Sequence, residues 1–322
     1  MTKQITVIGL DQPGVSLGLA LAEFKQSLVR VGHDGDGNRM KQAEKLGAFD
    51  KTCAKITDAV RGADIVVLSL PVDVIRDGFS MIAAELKPGS VVMDMSVMNE
   101  GVTAWARQIL PEGVQFVSIV PVYNPRYLEY KAETLDEPHA DLFENGILVI
   151  ASEYKTDEAA FQTAIDLANL LKAKPLFCDP HEADGLVAAA EQLPRLTAAA
   201  LMNALASNPG WKDSRMLTSQ AFFRSVSASQ LPLEQEFLGM NLLLNKENIL
   251  GKLDQYIQSL LDLRDVINEG DEENLKKYMK QAQSDFDLWL AQRKAGNWDL
   301  EKKQEMPGLK ERLFGARKAK EK

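Results

Sequence analysis

Short β-branched runs, each closed by glycine or proline, alternate with amphipathic stretches through the first half of the chain. Ile5-Thr6-Val7-Ile8 is stopped by Gly9, and the spacing over Val15–Lys25 reads as a helix leading to a second strand, Leu28–Val31. Ala63–Leu70 ends at Pro71. Ser90–Asp94 and Gln115–Ile119 follow the turns Pro88-Gly89 and Glu112-Gly113, with helical patterns over Val74–Leu86 and Val102–Ile109. Gly146–Ala151 and Pro175–Cys178 read as two further strands around the helix Glu158–Leu171. Continuous apolar strands alternating with helices imply β-α-β units. The expected fold is an α/β Rossmann-like doubly wound parallel sheet.

After Cys178 the strand pattern ends. Glu182–Leu205, Gln235–Glu269 and Glu272–Gln292 carry apolar residues at three- and four-residue spacing, as long amphipathic helices do. The expected division is a dinucleotide-binding domain over 1–179, an all-α substrate and dimerisation domain over 180–294, and a polar tail over 295–322. Within that tail Lys310–Lys322 holds six basic residues against two acidic. The apolar cluster Leu238, Met240, Leu242, Leu243 and Leu244 buries poorly within the helical half alone, so a homodimer is expected.

Composition narrows the function classes. With 46 acidic and 37 basic side chains the net charge is −9, which argues against broad nucleic-acid binding because duplex affinity rests on Lys and Arg neutralising phosphates. Two cysteines, Cys53 and Cys178, make neither a disulfide framework nor a metal cluster and fit a reducing compartment. No apolar run reaches a membrane-spanning length and the N-terminus has no signal-peptide pattern, so a cytoplasmic protein without membrane contact is expected.

Candidate chemistry begins at Gly9-Leu10-Asp11-Gln12-Pro13-Gly14, between the first strand and the first helix. That is where a dinucleotide-binding fold keeps its G-x-G-x-x-G turn. Asp34 closes the second strand, where a carboxylate accepts hydrogen bonds from the adenosine ribose and favours NAD over NADP. The second glycine, however, is Asp11. A carboxylate about 5 Å from a pyrophosphate charge, at an effective dielectric of about 20, costs roughly 3 kcal/mol, or about a hundredfold in affinity. Either the loop binds its cofactor weakly or it no longer binds one.

These stretches, with Ala63–Val72, Leu86–Gly89, Asp141-Leu142-Phe143, Leu193-Pro194, Phe223-Arg224 and Asn245–Asn248, resemble the prephenate and arogenate dehydrogenases of tyrosine biosynthesis across roughly residues 4 to 290. The resemblance implies an NAD(P)-dependent oxidative decarboxylation of a small anionic substrate by a homodimer. It implies cofactor contacts at Gly9, Asp11, Gly14, Asp34, Leu70 and Pro71, and no metal. Yet the family's catalytic histidine is here Val120, the lysine of its Ser-x-Lys is Met98 after Ser96, and its Ser-His-Leu-Pro-His stretch is Glu191-Gln192-Leu193-Pro194-Arg195. The substrate-gripping arginine after Phe223-Arg224 is Ala228. Ser96, His139 and Gln192 are left as catalytic candidates, and Glu191, Arg195 and Arg224 as substrate-binding candidates.

Of the other histidines, His33 sits at the adenosine end and His181 at a helix start. His139 belongs to the loop Asn124–Asp141, which with Tyr123, Arg126, Tyr127 and Tyr130 makes either a new pocket wall or an ordinary exposed loop. Glu191 and Arg195, four apart, either pair with each other or face a substrate. Asp64 and Asp94 open and close strands, with no partner that suggests acid–base work. Two readings stand: an oxidoreductase with altered substrate or much reduced activity, and a non-catalytic homologue that binds a ligand or partner.

Overall fold

The computed structural model describes residues 2–128, 137–153, 156–230 and 238–299. Tyr130, Gln235 and the basic stretch Lys310–Lys322 lie outside them, as does the side chain of Leu238. The chain forms two compact units, Met1–Leu260 and Leu261–Lys322.

In the first unit, strands β1 (Lys3–Ile8), β2 (Leu28–His33), β3 (Lys51–Thr52), β4 (Ile65–Leu68), β5 (Val91–Asp94), β6 (Gln115–Val122), β7 (Ile147–Ala151) and β8 (Lys174–Cys178) build one sheet in the order β3-β2-β1-β4-β5-β6-β7-β8. Helices α1 (Gln12–Ala20), α2 (Gly37–Lys45), α3 (Ile56–Val60), α4 (Val72–Ile82), α5 (Glu100–Ile109) and α6 (Glu158–Leu170) connect the strands. The reversal of strand order between β1 and β4 makes this a doubly wound, Rossmann-like sheet, whose ligand crevice lies at the carboxyl ends of the strands.

Side chains alternate across the strands, so each buried strand feeds two cores. Ile5, Val7, Val67 and Met93 pack with Val15 and Leu17 of α1 and Ala164 and Leu167 of α6. On the other face Ile8, Val66, Leu68 and Val92 pack with Ile75 and Phe79 of α4 and Val102 of α5.

The fully parallel expectation needs one correction: β6 and β7 run antiparallel, with Val120 opposite Val149. A parallel return needs a crossover, usually a helix, on the face of the sheet. The described part of this connection holds only a 3₁₀ turn at Pro125–Tyr127.

The helical half also differs from its expected outline. The single helix expected over Glu182–Leu205 is α7 (Pro180–Val187), a π turn (Ala188–Gln192) and α8 (Leu193–Ala206). Pro194 explains the break, because its ring collides with the carbonyl of Ala190 in an α-helix and it offers no N–H; the wider π turn relieves both. Short helices α9 (Trp211–Ser214) and α10 (Gln220–Val226) follow. The long helix expected next divides at Asn245 into α11 (Leu238–Leu244) and α12 (Lys246–Glu269). In the second unit α13 (Glu272–Ala295) starts at Asp271, whose side chain accepts from Asn274 N, and stops at Gly296 in the left-handed region, φ 60°.

Candidate functional site

The turn after β1 is fixed by its first and third glycines. Gly9 has φ +93°, and a Cβ there would lie 1.9 Å from Ser69 O; a Cβ on Gly14 would lie 2.0 Å from Gly9 O. Only glycine fits either place. Leu70 closes over Gly9, while Pro71 is exposed at the start of α4. The turn, Leu70 and the end of β2 therefore come together.

The amides of that turn can be accounted for one by one. Gly9 N–H donates to His33 O, Leu10 N–H to Asp34 Oδ2 at 2.7 Å, and Val15 N–H to Asp11 O. Gly14 N–H donates to Asp11 Oδ1 at 3.0 Å, which makes Asp11 the N-cap of α1. Asp11 Oδ1 also accepts from the Ser69 hydroxyl at 2.7 Å. Burial raises the Asp11 carboxyl above the ordinary carboxylate range, against the lowering effect of Ser69, Gly14 and Arg39. Asp34 uses its second oxygen on Asp36 N–H, and Arg39 stands 3.9 Å from its carboxylate.

Among the described residues Gln12 Nε2 is a buried donor without a partner. An orphaned side-chain donor beside a turn whose two glycines let the backbone pack this closely fits a dinucleotide pyrophosphate. The Asp11 carboxylate competes with it for the helix N-terminus.

Along the strand ends from there, Asp94 closes β5, wholly buried, and accepts a hydrogen bond from the Ser96 hydroxyl. Burial pushes its carboxyl up to about 7. The sequence assigns Asp94 no partner that suggests acid–base work, and the structure adds the Ser96 hydroxyl. The correction lies in the two-residue spacing, which puts Ser96 on the same side of the chain just past the strand end.

Val120 is buried with Val149, Ala151, Ala183 and Val187, a small apolar cluster between β6, β7 and α7. Met98 is fully buried against α4 and α5. Tyr123, just past β6, has its phenol raised by burial and by the nearby carboxylates of Asp11 and Glu191.

The other candidates divide between core and surface. Glu191 and Arg195 pair at 3.9 Å across one helix face, with the Glu191 side chain 59% exposed. Gln192 is 3% exposed, held by Asn245 Nδ2 at 2.9 Å and pointing its own amide at Met98 Sδ. Asn245 also donates to Asp184 O. The Asp184 carboxylate accepts from Asn99 N, Asn99 Nδ2 and Glu100 N at the start of α5. Ser118 donates to Asn99 Oδ1, which completes a buried polar network between the strand ends and the helices.

His139 donates its amide to Ser16 Oγ on α1 and stacks on Tyr127, 4.8 Å between centroids. Tyr127 and Arg126 both bind Asp141, so the described part of this loop is anchored. His33 Nδ1 lies 2.8 Å from Cys53 O, and His181 pairs with Glu100 on the surface. Arg224 is exposed on α10, a helix that packs against α8. Among the described residues no group of three or more His, Cys, Asp or Glu could hold a metal. No helix among them is long and apolar enough to cross a membrane.

Residues 17–176 match the family model of the prephenate dehydrogenase nucleotide-binding domain, and residues 179–281 that of its dimerization domain. The chain belongs to the prephenate dehydrogenase family. That makes it a member of a family of oxidoreductases with a nucleotide-binding domain. It is 26% identical to a Bacillus subtilis prephenate dehydrogenase over 288 residues, covering 88% of this chain and 75% of the relative. It is 25% identical to a Zymomonas mobilis cyclohexadienyl dehydrogenase over 287 residues, covering 87% and 94%. Its fold is similar to that of the A. aeolicus prephenate dehydrogenase solved with hydroxyphenyl propionate and NAD+, at TM-score 0.75 and 20% identity over 88% of this chain and 96% of that one.

Proposed function

We propose that this family member is an NAD(P)-dependent oxidoreductase that acts on a small anionic substrate and oxidises prephenate far more slowly than its relatives, or not at all. Its dinucleotide-binding domain spans 1–179 and its helical substrate and dimerisation domain 180–294, and it works as a cytoplasmic homodimer. The observation that carries the reading is the glycine cradle: Gly9 and Gly14 are kept where any Cβ would strike backbone, and Gln12 Nε2 is buried with nothing to bond. Asp34, at the end of β2, favours NAD. Arg195 and Arg224 supply cations for an anionic substrate. Calorimetric titration with NAD and with NADP tests the reading; heat from neither, at millimolar dinucleotide, overturns it.

A second reading, a non-catalytic homologue that binds a ligand or partner, is favoured by the Asp11 carboxylate on Gly14 N–H and by the apolar packing of Val120. It predicts no dinucleotide heat even after Asp11→Gly.

The dimer is supported by the match of the helical half to a dimerization-domain model and by its apolar surface. Leu217 is 85% exposed and Leu243 72%, with Phe223, Ile257 and Phe286 also open to solvent. Light scattering at micromolar concentration should give twice the mass of one chain, and a monomer would reject the assembly.

A further inference from the structure

Oxidation of a hydroxyl-bearing substrate releases a proton as well as a hydride, and Val120 can take none. The end of β5 offers an acceptor. Asp94 is wholly buried, in register with Leu68 of β4 on one side and Ser118 of β6 on the other. Its Oδ2 accepts the Ser96 hydroxyl, while its Oδ1 is buried with no hydrogen-bond partner. A carboxylate left half-unsatisfied in the interior is a costly way to fill space, and such groups concentrate at functional sites.

Among the described residues no charged side chain bears on Asp94. Burial raises it to about 7, and the Ser96 hydroxyl and amide alone pull the other way. The neighbours in register are Leu68 and Ser118, and the carboxylate that Ser118 leads to, Asp184, lies beyond Asn99. Ser96 is half-buried at the strand-end crevice, on the same edge of the sheet as the glycine turn.

We propose that Asp94 is the proton acceptor of this site, reached through the hydroxyl of Ser96. The substrate hydroxyl gives its proton to Ser96 Oγ as Ser96 passes its own proton along the existing hydrogen bond to Asp94 Oδ2. The O–H bonds of substrate and serine break, and new ones form on serine and carboxyl. No electrons pass to the protein; the hydride goes to an oxidised nicotinamide dinucleotide. Ser96 meets the substrate, and Asp94 acts through it. The assignment rests on the oxidoreductase reading above.

Infrared difference spectra of the full-length protein, with aspartate carboxyls isotope-labelled and pH stepped from about 5 to about 9, test it without cofactor or turnover. The expected result is a protonated-carboxyl band that disappears with a midpoint near 7, is missing in Asp94→Asn, and moves to higher pH in Ser96→Ala, because the lost hydroxyl stabilised the ionised form. Dinucleotide reduction by wild type should then rise with the same midpoint, and fall at least 100-fold in Ser96→Ala, the scale of lost proton transfer.

An absent band, or one that Ser96→Ala leaves in place, overturns the relay whatever the turnover. A titrating band with no dinucleotide reduction by any hydroxy acid tried overturns the oxidoreductase reading, and the relay with it. Turnover unchanged in Ser96→Ala overturns the relay alone. Ser96→Ala serves where Asp94→Asn fails to fold, since Ser96 is not part of the core.

Discussion

The Ser69 hydroxyl donates to Asp11 Oδ1 at 2.7 Å, tying the end of β4 to the N-terminus of α1. The same oxygen holds the Gly14 amide. An anion at a helix N-terminus is stabilised by the amides it finds there, and dinucleotide folds use this to hold a pyrophosphate. Here the chain supplies an anion of its own.

Asp11→Gly should therefore tighten dinucleotide binding by about 1–3 kcal/mol, roughly fivefold to 150-fold, by removing both the charge and the competing acceptor. Stability should change by only a few tenths of a kcal/mol, because glycine is itself a tolerated N-cap. Calorimetry of the two proteins side by side measures this. Equal dissociation constants would mean that the turn holds no pyrophosphate.

Asp94 gives the fold a pH dependence of definite sign. Its carboxyl rises from the ordinary 3.8 to about 7. Between those values only the folded chain keeps the proton, so each step up in pH costs stability, until the loss is complete above 7. Three units correspond to about 4 kcal/mol. Urea unfolding at about pH 4 and about pH 8 should show Asp94→Asn gaining that much on wild type across the interval; a constant difference would place the carboxyl in its ordinary range.

Asp184→Ala strips the acceptor from two amides at the start of α5 and from the Asn99 side chain. Buried donors left unmade cost about 1–3 kcal/mol each, so a loss of about 3 kcal/mol or more is expected. Denaturant midpoints at fixed slope measure it, and a loss under about 1 kcal/mol would mean that water replaces the carboxylate.

Prephenate and arogenate should be oxidised at least 10⁴-fold more slowly than a working enzyme's roughly 10 per second, since proton transfer and carboxylate positioning are both altered. Val120→His should not restore the rate. It would put an imidazole among Val149, Ala183 and Val187, where no partner waits, and should lower stability by about 1–3 kcal/mol. NADH formation at saturating cofactor, with thermal melts of the same samples, decides both points; turnover near 1 per second by the wild-type chain would refute the first.

How much of this was legible beforehand depends on range. β1, β4, β5 and β7 could be read because a buried parallel strand is a short apolar run with a hard stop. α2 could not, since Ala43 is its one buried residue and no apolar period survives; β3, with two residues, has no pattern at all. The glycine turn, Asp11 and the Asp94-x-Ser96 spacing are local and legible in the sequence. Gln192 is a catalytic candidate in the sequence, whereas in the fold Asn245, 53 residues away, holds its side chain in the core. Single-residue periodicity carries no trace of such a pairing.

The sheet order leaves β8 on an open edge, with Leu176 and Phe177 partly exposed along it. Lys174 N–H turns inward to Gly146 O, so the next position, Pro175, faces outward, where a free amide would invite another strand. Proline has none to offer, and an edge so blunted resists ribbon-to-ribbon aggregation of half-folded chains.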